Sequence, residues 1–226
     1  MNEQLVDVVK SCILILGALF PIVNPLGNSP IFLGLTRDYS TEERNLLSRK
    51  IAVNGFILLV VSILIGTHIL RFFGISLPVV QVGGGLVVIS TGWAMLNQKA
   101  GTRKGADADR QDIDREDLSA RAFYPLTLPL TVGPGSISVA ITLGANAPHY
   151  RGVEDLLPIL PAVIGPALVA VTIYLSYRFA ERLAELLGET AMSVILRLSS
   201  FILVCIGVQI LWNGIEALLR SVPALR

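Results

Sequence analysis

The chain has 226 residues, 53% of them hydrophobic and only 15% charged, and its mean hydropathy of +0.67 is far above what a soluble domain needs to fill its core. A formal net charge of +1, with basic residues scattered through loops, excludes a nucleic-acid-binding surface. The two cysteines, Cys12 and Cys205, lie in apolar segments without disulfide or metal spacing and read as small buried thiols; no cofactor is expected.

A bilayer span needs about 20 apolar residues. Six segments qualify, at 8–36, 46–70, 76–97, 122–146, 155–178 and 192–219. An all-α integral membrane protein follows, a single transmembrane domain over 1–226. The first segment opens with Lys10 and an apolar run from Cys12, but Glu3, Asp7 and the lack of an Ala-x-Ala site make it an uncleaved span rather than a secretory signal. Within it, Phe20–Pro30 carries three prolines and Gly27, so one continuous helix is not expected. Ser40-Thr41-Glu42-Glu43 has the form of a capping box, which places the start of the second helix at Thr41. Pro78 suits the first turn of the third, and Gly83-Gly84-Gly85 with Gly92 gives that helix a face for close packing.

Residues 98–121 form a hydrophilic connector with six basic and six acidic residues. Its Asp107, Asp109, Asp112, Asp114 and Glu116 lack the ligand order and glycine of an EF-hand, so a solvated linker is expected and no metal site. Beyond it, Tyr124-Pro125, Pro129-Leu130 and Pro134 repeat Phe20-Pro21, Pro25-Leu26 and Pro30 at a constant offset of 104 positions. The fifth segment, with Pro158, Pro161, Gly165 and Pro166, is expected to bend near its start and to continue through Arg178, Glu181, Arg182 and Glu185 as amphipathic turns ending near Gly188. Gln81, Gln209, Asn54, Asn97 and Asn213 are assigned to interhelical hydrogen bonds.

The face that carries the termini has 5 Lys and Arg and the other has 13, which together make the 18 in the chain. Basic loops stay cytoplasmic, so both termini are expected on the outer side of the membrane. The halves 8–97 and 122–219 each hold three spans. An odd number inserts the second upside down, giving six transmembrane helices as two inverted 3+3 repeats with discontinuous helices 1 and 4.

Pro25 lacks an N–H, crowds the carbonyl four residues back and biases Asn24 away from the α region. Gly133-Pro134-Gly135 acts likewise in the second copy. Unpaired backbone at membrane depth costs several kcal/mol per group unless it is buried in protein or lines a wet cavity. Two matched breaks therefore predict one shared cavity. There the N-terminal end of a restarting half-helix suits a carboxylate, the carbonyl end of the preceding half suits an ammonium or cation, and a zwitterion matches both. The competing reading is that the prolines kink helices for packing alone. No catalytic pair is placed for hydrolysis, so no enzyme is expected; no carboxylate stands at mid-membrane, and the candidates for carrying a coupling proton are His68, Glu216 or a backbone water chain.

Asn24-Pro25-Leu26-Gly27-Asn28-Ser29-Pro30-Ile31-Phe32 and Pro129-Leu130-Thr131-Val132-Gly133-Pro134-Gly135-Ser136-Ile137 resemble the two signature stretches of the MarC/SnatA family of bacterial and archaeal membrane proteins. The resemblance covers nearly the whole chain. It implies an inner-membrane secondary transporter of small neutral amino acids such as glycine and alanine, working by alternating access around paired broken helices. The substrate is then expected among Asn24, Pro25, Leu26, Gly27 and Asn28 from one half and Thr131, Val132, Gly133, Pro134, Gly135 and Ser136 from the other, with the halves rocking about it. The alternative is a non-transporting scaffold or accessory protein.

Overall fold

A computed structural model describes residues 2–97, 115–147 and 159–221. Its regular elements are helices: α1 (Asn2–Val23), α2 (Pro25–Leu35), α3 (Thr41–Phe72), α4 (Leu77–Leu96), α5 (Arg115–Arg121), a wide-turned segment over Ala122–Thr131, α6 (Pro134–Ala145), α7 (Leu160–Arg178) and α8 (Ala180–Ser221). Leu5–Leu35, Thr41–Phe72, Leu77–Leu96, Leu160–Arg178 and Thr190–Ser221 are each long and apolar enough to cross a bilayer. The pair Leu118–Thr131 and Pro134–Ala145, bent by 71°, makes a sixth if taken as one span.

The local signals act where chemistry places them. The Ser40 hydroxyl accepts the Glu43 N–H at 3.2 Å, and the Glu43 carboxylate accepts the Ser40 N–H at 2.7 Å, so α3 starts at Thr41 as its capping box predicts. Pro78 stands in the first turn of α4.

Other expectations need correction. The last seven residues of the 98–121 connector are helical as α5, because Leu118 is buried and anchors the turn; Asp107 to Asp114 lie outside the described residues, as does Pro158. The basic turn after Arg178 does not continue α7, because the chain breaks at Phe179 and Ala180 opens α8; the turns do end at Gly188, whose φ of 72 and ψ of 169 are non-helical and kink α8 before it resumes to Ser221. Asn97 and Gln209 bond within their own helices, to the Trp93 carbonyl and to Asn213, since a residue four positions away is the nearest partner for a short amide on a lipid-facing surface. Cys12 is buried, but Cys205 is exposed.

The principal packing runs between the two halves of the chain. α3 lies on α6 and α7, α1 on α7, α2 on α7 and α8, and α4 on α6 and α8. Leu19, Leu47, Leu59, Val132, Val169 and Ile173 belong to one buried cluster, and Ile31, Val88, Met95 and Leu203 to a second.

The α4–α8 contact is the most extensive. A Cβ on Gly85 would stand 2.8 Å from the Gly207 carbonyl oxygen, one on Gly214 2.8 Å from that of Pro78, and one on Gly92 3.0 Å from that of Ser200. The contacts recur every seventh residue and run in opposite directions along the two helices, which fixes an antiparallel pair held at backbone distance. Gly84 instead faces Ser138 of α6, and Gly83 faces open space. Gly85→Leu is therefore expected to destabilise the protein by about 1–3 kcal/mol through overpacking, with Gly83→Ala close to neutral; thermal unfolding in detergent measures both.

Candidate functional site

The interruption between α1 and α2 is a single residue. Pro25 disfavours the right-handed helical region for the residue before it, and Asn24 takes the left-handed one, φ 47 and ψ 55, which asparagine tolerates better than most side chains. Its N–H still bonds the Phe20 carbonyl, while its Oδ1 accepts the Gly27 N–H at 3.2 Å and caps α2.

The second interruption is built differently. Tyr124 and Leu128, each before a proline, are extended, and cis peptide bonds join them to Pro125 and Pro129. The turns widen around them: the Val132 N–H reaches the Thr127 carbonyl, and the Thr127 and Thr131 hydroxyls donate to the carbonyls five residues back, of Ala122 and Leu126. Gly133 then caps α6 in an extended conformation.

The two interruptions meet through Asn28. Its Nδ2 donates to the Val23 carbonyl at 2.9 Å and to the Leu130 carbonyl at 3.1 Å, so both of its N–H bonds end on carbonyls that the breaks set free. The Ser29 hydroxyl lies within reach of the carbonyls of Pro25, at 2.9 Å, and Ser176, at 3.1 Å, and can donate to either, while Ser136 donates to that of Gly133. The expectation that the breaks leave backbone carbonyls unpaired is corrected in that respect, because short polar side chains supply the donors.

What remains unpaired is a donor. Asn24 is only 7% exposed, and its Nδ2 has no hydrogen-bond partner among the described residues. Pro25, Gly27, Asn28, Thr131, Val132, Gly135 and Ser136 are buried around the interruptions, and Gly133 is half-buried. Leu26 and Pro134 are exposed, because each occupies the outward face of the first turn that follows its break.

Sequence reasoning missed Tyr177. This fully buried residue of α7 shares a 2.8 Å hydrogen bond with Thr131 and stacks on Phe32 of α2, with ring centroids 4.5 Å apart and planes within 5°. It thereby links both interrupted segments. The available signal was a tyrosine near the end of an apolar helix, whose hydroxyl needs a partner when buried.

These elements define a class: a multi-pass helical membrane protein whose two interrupted segments are cross-linked at a buried polar junction. A model described as "MarC family integral membrane protein" matches residues 9–219. The UPF0056 inner membrane protein MarC of Escherichia coli O1:K1 / APEC is 34% identical over 220 residues, covering 96% of this chain and 99% of the relative. Its counterpart in Salmonella typhimurium strain LT2 is 33% identical over the same coverage. No solved structure gives a significant match. The chain belongs to the MarC family, and like those relatives it is a multi-pass inner-membrane protein.

Removing the Asn28 amide strands two carbonyls, at about 1–3 kcal/mol for each buried unsatisfied group. Asn24→Gly keeps the left-handed backbone and costs a few tenths through the lost cap. Asn28→Ala is therefore expected to unfold at a clearly lower temperature in detergent than Asn24→Gly.

Proposed function

We propose that the protein is a secondary transporter of small neutral amino acids, in which the junction between α1–α2 and the Ala122–Thr131 segment with α6 holds the substrate. The observation that carries this reading is the Asn24 Nδ2, a buried donor without an acceptor among the described residues at the start of α2, the helix whose Asn28 reaches the second interruption at Leu130. An unsatisfied buried donor costs about 1–3 kcal/mol, and a ligand acceptor would repay it. In the first turns of α2 and α6 the two prolines have no N–H and that of Gly27 is taken by Asn24 Oδ1, which leaves the N–H groups of Leu26, Gly135 and Ser136 without an intrahelical acceptor and the two helix starts suited to a carboxylate. The carbonyls that Asn28 already engages each keep a second lone pair for an ammonium. Asn24, Gly27, Asn28, Thr131, Gly135 and Ser136 are the residues assigned to the substrate, with a proton or cation as the coupling partner.

The reading includes an inverted 3+3 repeat with discontinuous helices 1 and 4. Its support is a reciprocal packing pattern. If the first half is exchanged for the second, α2 on α8 becomes α6 on α4, and α1 on α7 becomes the Ala122–Thr131 segment on α3; α3 on α7 and α4 on α8 map onto themselves. Because the halves interlock, the bodies that move past each other are not sequence halves. They are the α4–α8 pair and the α3–α7 pair, with the interrupted segments between them.

A second reading, a scaffold whose breaks serve packing, is favoured by the tightness of the junction. A Cβ on Gly27 would stand 2.3 Å from Asn24 Nδ2, and one on Gly135 2.1 Å from Val88. Flux decides between the two. Purified protein in liposomes is expected to exchange labelled glycine or alanine, and Asn24→Gly to lower that exchange about ten-fold, as for one lost hydrogen bond to a charged group. No exchange above empty liposomes under any imposed ion gradient would establish the scaffold.

Orientation has its own test. In a Cys12→Ala, Cys205→Ala background, Ser221→Cys is expected to react with a membrane-impermeant maleimide in spheroplasts, and Thr41→Cys only after lysis.

A further inference from the structure

Away from the junction, α3 and α7 leave between them a groove of about 500 Å³, within the size range of a small-molecule pocket. It is mainly apolar, lined by the small residues Ala52 on α3 and Ala167 and Ala170 on α7, with Phe56 of α3 beside them. Arg49 and Tyr174 close one end. From Arg49 to Phe56 the helix advances about 10 Å, a third of the hydrocarbon thickness, which is the depth reached by the upper part of one acyl chain.

The closed end is cationic. Arg49 is exposed and has no ion pair or hydrogen bond from its guanidinium among the described residues. Arg178 donates to the Tyr174 hydroxyl at 2.6 Å and packs over that ring, 5.6 Å from its centroid, without a carboxylate partner among the described residues. The neighbouring acid, Glu181, is taken by Arg44 at 3.1 Å. Arg49 and Tyr174 therefore line one end of an apolar slot, with the Tyr174 hydroxyl proton free to donate, and Arg178 adds a second guanidinium there through its contact with that hydroxyl.

The geometry points to a binding site for one anionic phospholipid, with its phosphate on Arg49, Arg178 and the Tyr174 hydroxyl and one acyl chain along the groove past Ala52 and Ala170. Charge complementarity selects this occupant. Guanidinium forks match phosphate oxygens, and basic pockets between transmembrane helices hold anionic headgroups. The site is separate from the Asn24–Asn28 junction, so it stands whether or not the transport reading does.

Native mass spectrometry of the protein released from micelles containing phosphatidylglycerol and phosphatidylcholine tests it. Wild type is expected to retain phosphatidylglycerol preferentially, Arg49→Gln to retain about five-fold less, and Arg49→Gln with Arg178→Gln a further five-fold less. Ala170→Phe, which fills the slot and keeps both arginines, is expected to lose the lipid as well. Arg49→Lys, which keeps the charge but not the fork, is expected to fall between wild type and Arg49→Gln, and it serves if the glutamine variants do not fold. Equal retention of the two lipids would overturn the proposal. So would glycerol phosphate competing as well as the whole lipid, or Ala170→Phe altering the monomer–dimer ratio while lipid retention is unchanged.

Discussion

Everything near the centre of this protein depends on one side-chain amide. Hydrocarbon offers no water to a broken helix, so each freed carbonyl must find a donor inside the protein. Asn28 Nδ2 has two N–H bonds and places one on Val23 and the other on Leu130, across 102 positions of sequence. A hydroxyl could serve only one of the two carbonyls at a time, and a longer amide would need extra room in a packed interior. Neither interruption is complete without the other: the second lends its carbonyl to an amide held by the first, and Tyr177 binds the second through Thr131 while stacking on the first through Phe32.

Much of this was legible in the residues. Proline has a local effect: Pro25 and Pro134 each open a helix directly after a break, and the Ser40–Glu43 box sets the start of α3. The polar identity of the junction was also readable, since Asn24, Asn28, Thr131 and Ser136 are short, uncharged and next to breaks. Their partners were not. Whether Asn28 reaches a carbonyl 102 positions away depends on how α2 settles against the second half, and no local signal encodes that. Leu26 and Pro134 sat inside the motifs but face outward, because a motif is contiguous in sequence whereas a helical turn is not contiguous in direction. The two interruptions also differ in form, one residue in the left-handed region against a widened turn with a 71° bend, although their proline spacing is identical. The difference follows from what lies between the prolines: Asn24 can take φ 47, whereas the second copy spends five-residue hydroxyl bonds to span the same gap.

The interlocking of the halves bears on folding as well as motion. Three spans from one half bury little against one another and much against the other three, so neither half has a core of its own. The α4–α8 pair is the rigid element. Its helices touch at backbone distance every seventh residue, with the Val82, Ile89 and Val204 side chains packed onto the facing glycines, so sliding along that seam would need the whole register to shift. The α3–α7 pair lacks such a seam and instead leaves an alanine-lined groove. Deformation in this fold is therefore easier on the α3–α7 side, next to Tyr177 and the Thr131 it holds.

That asymmetry bears on how the Asn24 amide is to be understood. A buried donor without an acceptor costs about 1–3 kcal/mol, a large fraction of the net stability of an ordinary domain. Nothing in the backbone demands this cost: glycine at position 24 would take the same left-handed turn and carry no orphan. The cap it supplies to Gly27 needs only Oδ1, which aspartate also has, but aspartate would bring a buried negative charge opposite any incoming carboxylate. Asparagine is the side chain that caps α2, stays neutral and keeps one donor in reserve. On the transport reading, the cost of that reserve is met when a substrate carboxylate arrives and is incurred again when it leaves, so the empty site is kept from becoming too stable to release what it closes around.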